Sequence, residues 1–325
     1  MTDLTRRSII LAAGALAVRP ALTSAQAQTT RRISIATGGT GGAYYPIGGG
    51  IANLISKTIP GTEATAEVTG GGVDNIRLIR NGRADIGFAN AGIVIDALKG
   101  QDRFAGNPVP LRTLAALFPN RMHVVTIEGR GINTMADLRG KRVSTGAPGS
   151  GTEVIAFRIL EAYGLDKDRD IRRERLSASE SVNALKDGKI DAFIFGAAMP
   201  VAAITDLAAS PGVRMKLIDH GDAVAKMNGT GGAVYSRGEI PPGAYPGHAT
   251  TVSTVDIYDL LVVGETFDTE LAYQIVKLMF ERRADLIAVH RNMEAMSAAT
   301  QGALATAPLH PGAQRYLREI GALKA

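Results

Sequence analysis

Apolar residues in this chain alternate between short unbroken runs, which read as buried strands, and spacings of three and four, which read as helices. Ile33-Ser-Ile-Ala36 is followed by Gly38-Gly-Thr-Gly-Gly42 and then by a helical spacing over residues 47–59, stopped by Pro60-Gly61. Residues 65–69 alternate as a strand, and Gly70-Gly-Gly72 leads into a helix near 73–80, with Asn81-Gly82 as its C-terminal signal. A strand over 86–89 ends at Asn90-Ala-Gly92, before a helix that runs to Lys99. Strand, glycine turn and helix in that order predict a parallel sheet with helices on its faces. Residues 114–117 and 123–127 are expected as two strands separated by Phe118-Pro-Asn-Arg121, where the chain would leave a first lobe. A second lobe is then expected, with a helix over 153–163, a helix over 181–187 and a strand over 193–195. A return crossing at 250–255 and closing helices over 269–289 and 311–321 complete the pattern.

The two halves repeat one design. Ser34-Ile-Ala-Thr-Gly-Gly-Thr-Gly-Gly42 in the first corresponds to Arg142-Val-Ser-Thr-Gly-Ala-Pro-Gly-Ser-Gly-Thr152 in the second. Leu78-Ile-Arg-Asn-Gly-Arg-Ala-Asp85 likewise corresponds to Ala184-Leu-Lys-Asp-Gly-Lys-Ile-Asp191. A matched pair of α/β units suggests two similar lobes with a cleft between them, and each glycine turn opens a helix whose free N–H groups suit an anion.

Residues 1–27 stand apart from this pattern. Arg6-Arg7, the apolar run over 11–18 and Ala25-Gln-Ala27 read as a twin-arginine export signal cleaved near Ala27. Without Arg6, Arg7, Arg19 and Asp3 the formal charge falls from +5 to about +3. So small and mixed a charge gives no case for nucleic acid or an anionic membrane. There is no cysteine, so the fold depends on its apolar core rather than on disulfides.

Gly38-Gly-Thr-Gly-Gly-Ala-Tyr-Tyr-Pro-Ile-Gly48, Asp137-Leu-Arg-Gly-Lys-Arg-Val143, Gly146-Ala-Pro-Gly-Ser-Gly-Thr-Glu153 and Leu309-His-Pro-Gly-Ala313 resemble, in order, the signature segments of TAXI-family solute-binding proteins of tripartite TRAP transporters. The resemblance implies an α/β, type II periplasmic-binding-protein fold, with two similar lobes joined by a two-crossing hinge. Residues 28–121 and 252–325 would form lobe I, and 122–251 lobe II. It also implies a periplasmic monomer that closes on a small organic anion, a carboxylate such as an amino acid or dicarboxylate, and passes it to a TRAP-type membrane permease. The alternative is a periplasmic sensor subunit that shows the same closed form to a signalling partner. Many relatives carry Ser at the turn position of Gly72 and a Gln-Ser-Asp-like run at Asn90-Ala-Gly92, so glutamate is not carried over as the ligand.

The candidate ligand-binding residues are Thr40, Gly41, Tyr44, Asn75, Asn90, Ser150, Gly151, Thr152, Phe195 and Gly196. Ser150 and Thr152 precede a long helix, where a hydroxyl serves either as an ordinary cap or as a ligand donor. Tyr44 and Tyr45 are both able to close over a ligand, and Tyr44 is preferred. Asn90 and Gly196 follow the repeated Asp units at carboxyl strand ends, where α/β folds place ligands. Phe195 is either a cleft wall or a core residue, and Asn75 either a contact or a helix cap. The turn has no Gly-Lys-Ser/Thr, so it is not a nucleotide P-loop. Histidines at 123, 220, 248, 290 and 310 show no metal-ligand spacing, and no nucleophile motif is present. No catalysis, metal or cofactor is therefore expected.

Overall fold

The computed structural model describes residues 30–231 and 233–324, so the expected leader and its cleavage site at Ala27 lie outside the described residues. The first half runs β1 (Arg31–Ala36), α1 (Tyr44–Thr58), β2 (Thr62–Glu67), α2 (Gly72–Arg80), β3 (Ile86–Asn90) and α3 (Ala91–Lys99), then enters the long strand β4 (Leu111–Ile127). The second half runs β5 (Arg142–Ser144), α4 (Gly151–Ala162), β6 (Arg172–Glu174), α5 (Ala178–Lys186), β7 (Ala192–Ala197), α6 (Ala202–Ala209), β8 (Met215–Leu217), α7 (Ala223–Gly231) and β9 (Tyr235–Ile240). A second long strand, β10 (Val252–Gly264), leads to α8 (Thr269–Glu281), α9 (Arg283–Val289), α10 (Gln301–Leu304) and α11 (Pro311–Glu319).

These strands form one sheet in the order β2-β1-β3-β10-β4-β7-β5-β6, with β8 also on β4 and β9 also on β10. Pairing among β1, β2 and β3 is parallel, as it is among β5, β6 and β7. The expected parallel sheet is thus found in each half, but β4 and β10 run antiparallel between them and make the whole sheet mixed.

The sequence reading of two strands broken at Phe118-Pro-Asn-Arg121 is corrected: β4 is a single strand of 17 residues. Asp259 pairs with Phe118 and Leu260 with Ala116, which leaves Leu117 as the extra residue of a bulge. Pro119 follows that bulge and precedes Arg121, where pairing with β7 begins. A missing N–H is tolerated at such a break in the ladder.

The repeated Asp units have a common structural use. Asp85 Oδ2 accepts from the Ser34 N–H at 2.8 Å, and Asp191 Oδ2 from the Arg142 N–H at 2.9 Å. Each carboxylate ties its own strand entry to the backbone of the neighbouring parallel strand, at mid-strand in β1 and at the first residue of β5. The glycines that precede them, Gly82 and Gly188, have φ of 64° and 70°, the left-handed turn that ends a helix without a Cβ clash.

Helix α1 buries Ile47, Ile51, Leu54 and Ile55 on one face, the stripe its spacing predicts. Ile93 and Val94 of α3 belong to the same apolar cluster as Ile155 and Ile159 of α4, so the two halves are packed together along their flank.

Candidate ligand-binding cleft

The parallel strands direct their carboxyl ends, and the turns that follow, towards a space between the two halves. The β1–α1 turn contributes Gly38, Gly39, Gly42 and Tyr44, and the β2–α2 turn Gly70 to Gly72. Asn90 closes β3, while Ser150, Gly151 and Thr152 open α4. Phe195 and Gly196 end β7, and Asn120 enters from β4. The cavity volume between these walls is about 70 Å³. This suits a small molecule more than a polymer.

The start of α4 is the most polar wall. Ser150 Oγ accepts from the Glu153 N–H at 3.1 Å and donates to the Ala147 carbonyl at 2.7 Å, while the Ser150 N–H donates to the same carbonyl at 3.2 Å. Ser150 therefore caps the helix with every donor engaged. The N–H groups of Gly151 and Thr152 come next, and neither meets an acceptor among the described residues. The first turn of a helix has no internal carbonyl for them, and its dipole favours negative charge there. Thr152 Oγ1 accepts from the Gly196 N–H at 3.3 Å, which leaves its own proton free to donate. A Cβ on Gly151 would collide with Asn90 Nδ2, so only glycine allows this close approach.

Asn90 caps α3 through Oδ1, which accepts from the Ile93 N–H at 3.1 Å, and turns its amide nitrogen towards Gly151. Tyr44 lines the cleft, stacks on Phe88 at 4.9 Å and donates to Asp259 Oδ1 at 2.6 Å; Tyr45 is 37% exposed. Thr40 and Gly41 lie in an adjoining outer depression with Ser177, Ser179 and Phe195. Gly41 approaches the Ser179 hydroxyl so closely that a Cβ would not fit. Asn75 is placed differently. Fully buried, it donates to the Thr37 carbonyl at 2.7 Å and the Phe88 carbonyl at 2.8 Å, a clamp between turn and strand rather than a cleft wall.

Sequence reasoning missed Asn120 and Asp259. Asn120 Nδ2 donates to Asp259 Oδ2 at 2.8 Å, so both oxygens of this buried carboxylate are engaged. Burial pushes the Asp259 carboxyl up to about 7, with the Tyr44 and Asn120 hydrogen bonds opposing. Burial, followed by the Asp259 charge, raises the Tyr44 hydroxyl well above its ordinary value. The available signal was a carboxylate inside the apolar strand Ile257-Tyr-Asp-Leu-Leu-Val-Val263, where an unpaired charge is costly. No Lys or Arg lines the cleft among the described residues. No cluster of metal-ligating side chains occurs among the described residues, and none of their helices is long and apolar enough to cross a membrane.

The model of the NMT1-like family matches residues 35–321. Among solved structures, a binding protein component of an ABC phosphonate transporter from Pseudomonas aeruginosa is similar, with a TM-score of 0.54 and 13% identity over 81% of this chain and 79% of that one. A protein from Bordetella bronchiseptica gives 0.50 and 16% over 91% of this chain and 82% of that one. At such identities the likeness is one of fold. The chain has the α/β fold of periplasmic binding proteins, with a curled mixed sheet and helices on both sides.

Proposed function

The chain belongs to the NMT1-like family, and on that premise we propose that it is an extracytoplasmic solute-binding protein of the TAXI type, which captures a small organic anion and delivers it to a TRAP membrane permease. One observation carries the reading: Gly151 and Thr152 line the cleft, and their adjacent N–H groups, at the positive end of α4, meet no acceptor among the described residues. Two neighbouring donors and one free hydroxyl proton suit the two oxygens of a carboxylate. With no Lys or Arg in the wall, a singly charged group fits better than a phosphonate dianion.

Capture follows from the architecture. On this reading the chain leaves one lobe after Arg121 and returns to it from Val252, with β4 and β10 as the connections. A ligand held by α4 on one side and by the Tyr44 and Asn90 walls on the other stabilises the closed state by its differential affinity for it. That closed surface is what the permease recognises, and no covalent step is required.

The test is mass spectrometry of the small molecule released from purified, denatured protein, followed by calorimetric titration of the identified compound. A carboxylate with submillimolar affinity, weakened by Thr152→Val, supports the reading. A bound phosphonate or sulfonate overturns the carboxylate assignment, and a bound neutral molecule overturns the anion reading as a whole.

A further inference from the structure

Asn120 is 5% exposed, lies on β4 and contributes to the cleft wall. Its amide is oriented by charge. Asp259 Oδ2 accepts from Nδ2 at 2.8 Å, and above about pH 7, where Asp259 is ionised, the carboxylate demands the NH₂ face of the amide, because an oxygen there would be repelled. Tyr44 donates to the other oxygen at 2.6 Å and fixes the carboxylate in turn. The amide oxygen is thereby turned away from Asp259, over Gly196, where a Cβ would stand 2.7 Å from it. Oδ1 is buried and accepts no hydrogen bond among the described residues.

A buried acceptor left without a donor costs as much as a hydrogen bond lost. Here the acceptor belongs to an ordered triad beside the cleft: Asn120 is a wall residue, and its unpartnered oxygen lies over Gly196, another residue of the same wall.

We infer that Asn120 Oδ1 is a specificity-determining acceptor, which receives an O–H or N–H donor carried by the ligand in addition to its carboxylate. Tyr44 and Asp259 are positioning residues that hold the amide in this sense. The inference rests on the carboxylate reading above and adds a second requirement: an acid substituted with a hydroxyl or ammonium group is selected over its unsubstituted parent. The start of α4 supplies donors and Asn120 an acceptor, so the two walls together also set the direction in which the ligand lies.

Calorimetric titration with two matched sets tests this: succinate, malate and aspartate, and propionate, lactate and alanine, with the chiral members in both enantiomers. The expected result is that a substituted member binds about 5- to 150-fold more tightly than its parent, the cost of leaving a buried acceptor unpaired. Preference for malate or lactate identifies a hydroxyl, and preference for aspartate or alanine an ammonium group. In Asn120→Leu the ratio should fall to about one, a change that general destabilisation would not produce. Asp259→Asn, which removes the charge that orients the amide, should reduce the ratio in the same way if the leucine variant does not fold. Parent acids that bind as tightly as substituted ones and are weakened by Thr152→Val overturn the subsite and leave the carboxylate reading intact. If no member of either set binds, the carboxylate reading fails first and the subsite with it.

Discussion

Arg158 Nη2 lies 2.6 Å from Asp96 Oδ2, an ion pair that ties α4 of one half to α3 of the other. Nη1 of the same guanidinium donates to Tyr235 Oη at 2.7 Å, and Nη2 also reaches Asp102 at 3.3 Å. With side chains 18% and 11% exposed, Arg158 and Asp96 are shielded enough for the pair to matter. Arg158→Met should lower stability by about 2 kcal/mol, short of the cost of a fully buried pair because both groups keep some water. The ligand-free protein should also gain radius of gyration in small-angle scattering. A lower melting point with an unchanged radius would mean that the pair stabilises the fold without holding the halves together.

Ser150 and Thr152 should separate into two roles. Ser150→Ala removes a cap whose hydroxyl is already engaged on both sides, so it should cost about 1 kcal/mol of stability and leave affinity nearly unchanged. Thr152→Val removes the free proton that faces the cleft and should weaken ligand binding by about 1–3 kcal/mol. Calorimetry beside a denaturant melt distinguishes them, and equal effects of both variants on affinity would contradict the assignment.

Gly151→Ala places a methyl group against the Asn90 amide. Alanine is the better helix former, so the first turn of α4 gains nearly 1 kcal/mol in isolation. Closing the halves then requires Asn90 to yield, at about 1–3 kcal/mol. The expected result is an affinity at least about fivefold lower with no loss of secondary structure. Wild-type affinity in this variant would show that Asn90 and Gly151 need not approach.

Two buried groups give stability opposite slopes with pH. Burial lowers His123 to about 3, and the ring is held neutral between the Arg121 carbonyl at 2.9 Å and Tyr245 Oη at 2.8 Å. The unfolded chain binds this proton more readily, so the contribution is present above the ordinary 6.5 and is lost as pH falls towards about 3. Asp259 behaves in reverse. Its folded value of about 7 lies above the ordinary 3.8, so stability is lost as pH rises between them. The gain of Asp259→Asn over wild type should therefore grow from pH 4 to 7 by on the order of 4 kcal/mol and then level off. A gain independent of pH would show that Asp259 does not titrate in that window.

Much of the architecture was legible because it is local. The glycine turns, the helix stripes and the repeated Asp units each depend on residues close in sequence, and both Asp85 and Asp191 make the same bond to a neighbouring strand. The unbroken run of β4 was not legible, since Pro119 signals a break unless the bulge at Leu117 and the late start of β7 pairing are known. Within the cleft, sequence pointed to the residues on turns. Asn120 and Asp259 are 139 positions apart and meet only because β4 and β10 are neighbours, a relationship that no local pattern records. Asn75 shows the converse, since a polar residue in a first turn reads as a contact or a cap until its two carbonyl partners are seen.

The two long strands have a mechanical consequence. Because the sheet continues from one half to the other through β4 and β10, the halves cannot swing on slack connectors, and any rotation between them must be taken up as a change of twist in those strands. The bulge beside Asp259 interrupts the ladder between these strands, and Asp259 also carries the contact with Asn120. A molecule seated there would sit beside the strands that join the halves, at the axle of any such rotation rather than at its rim.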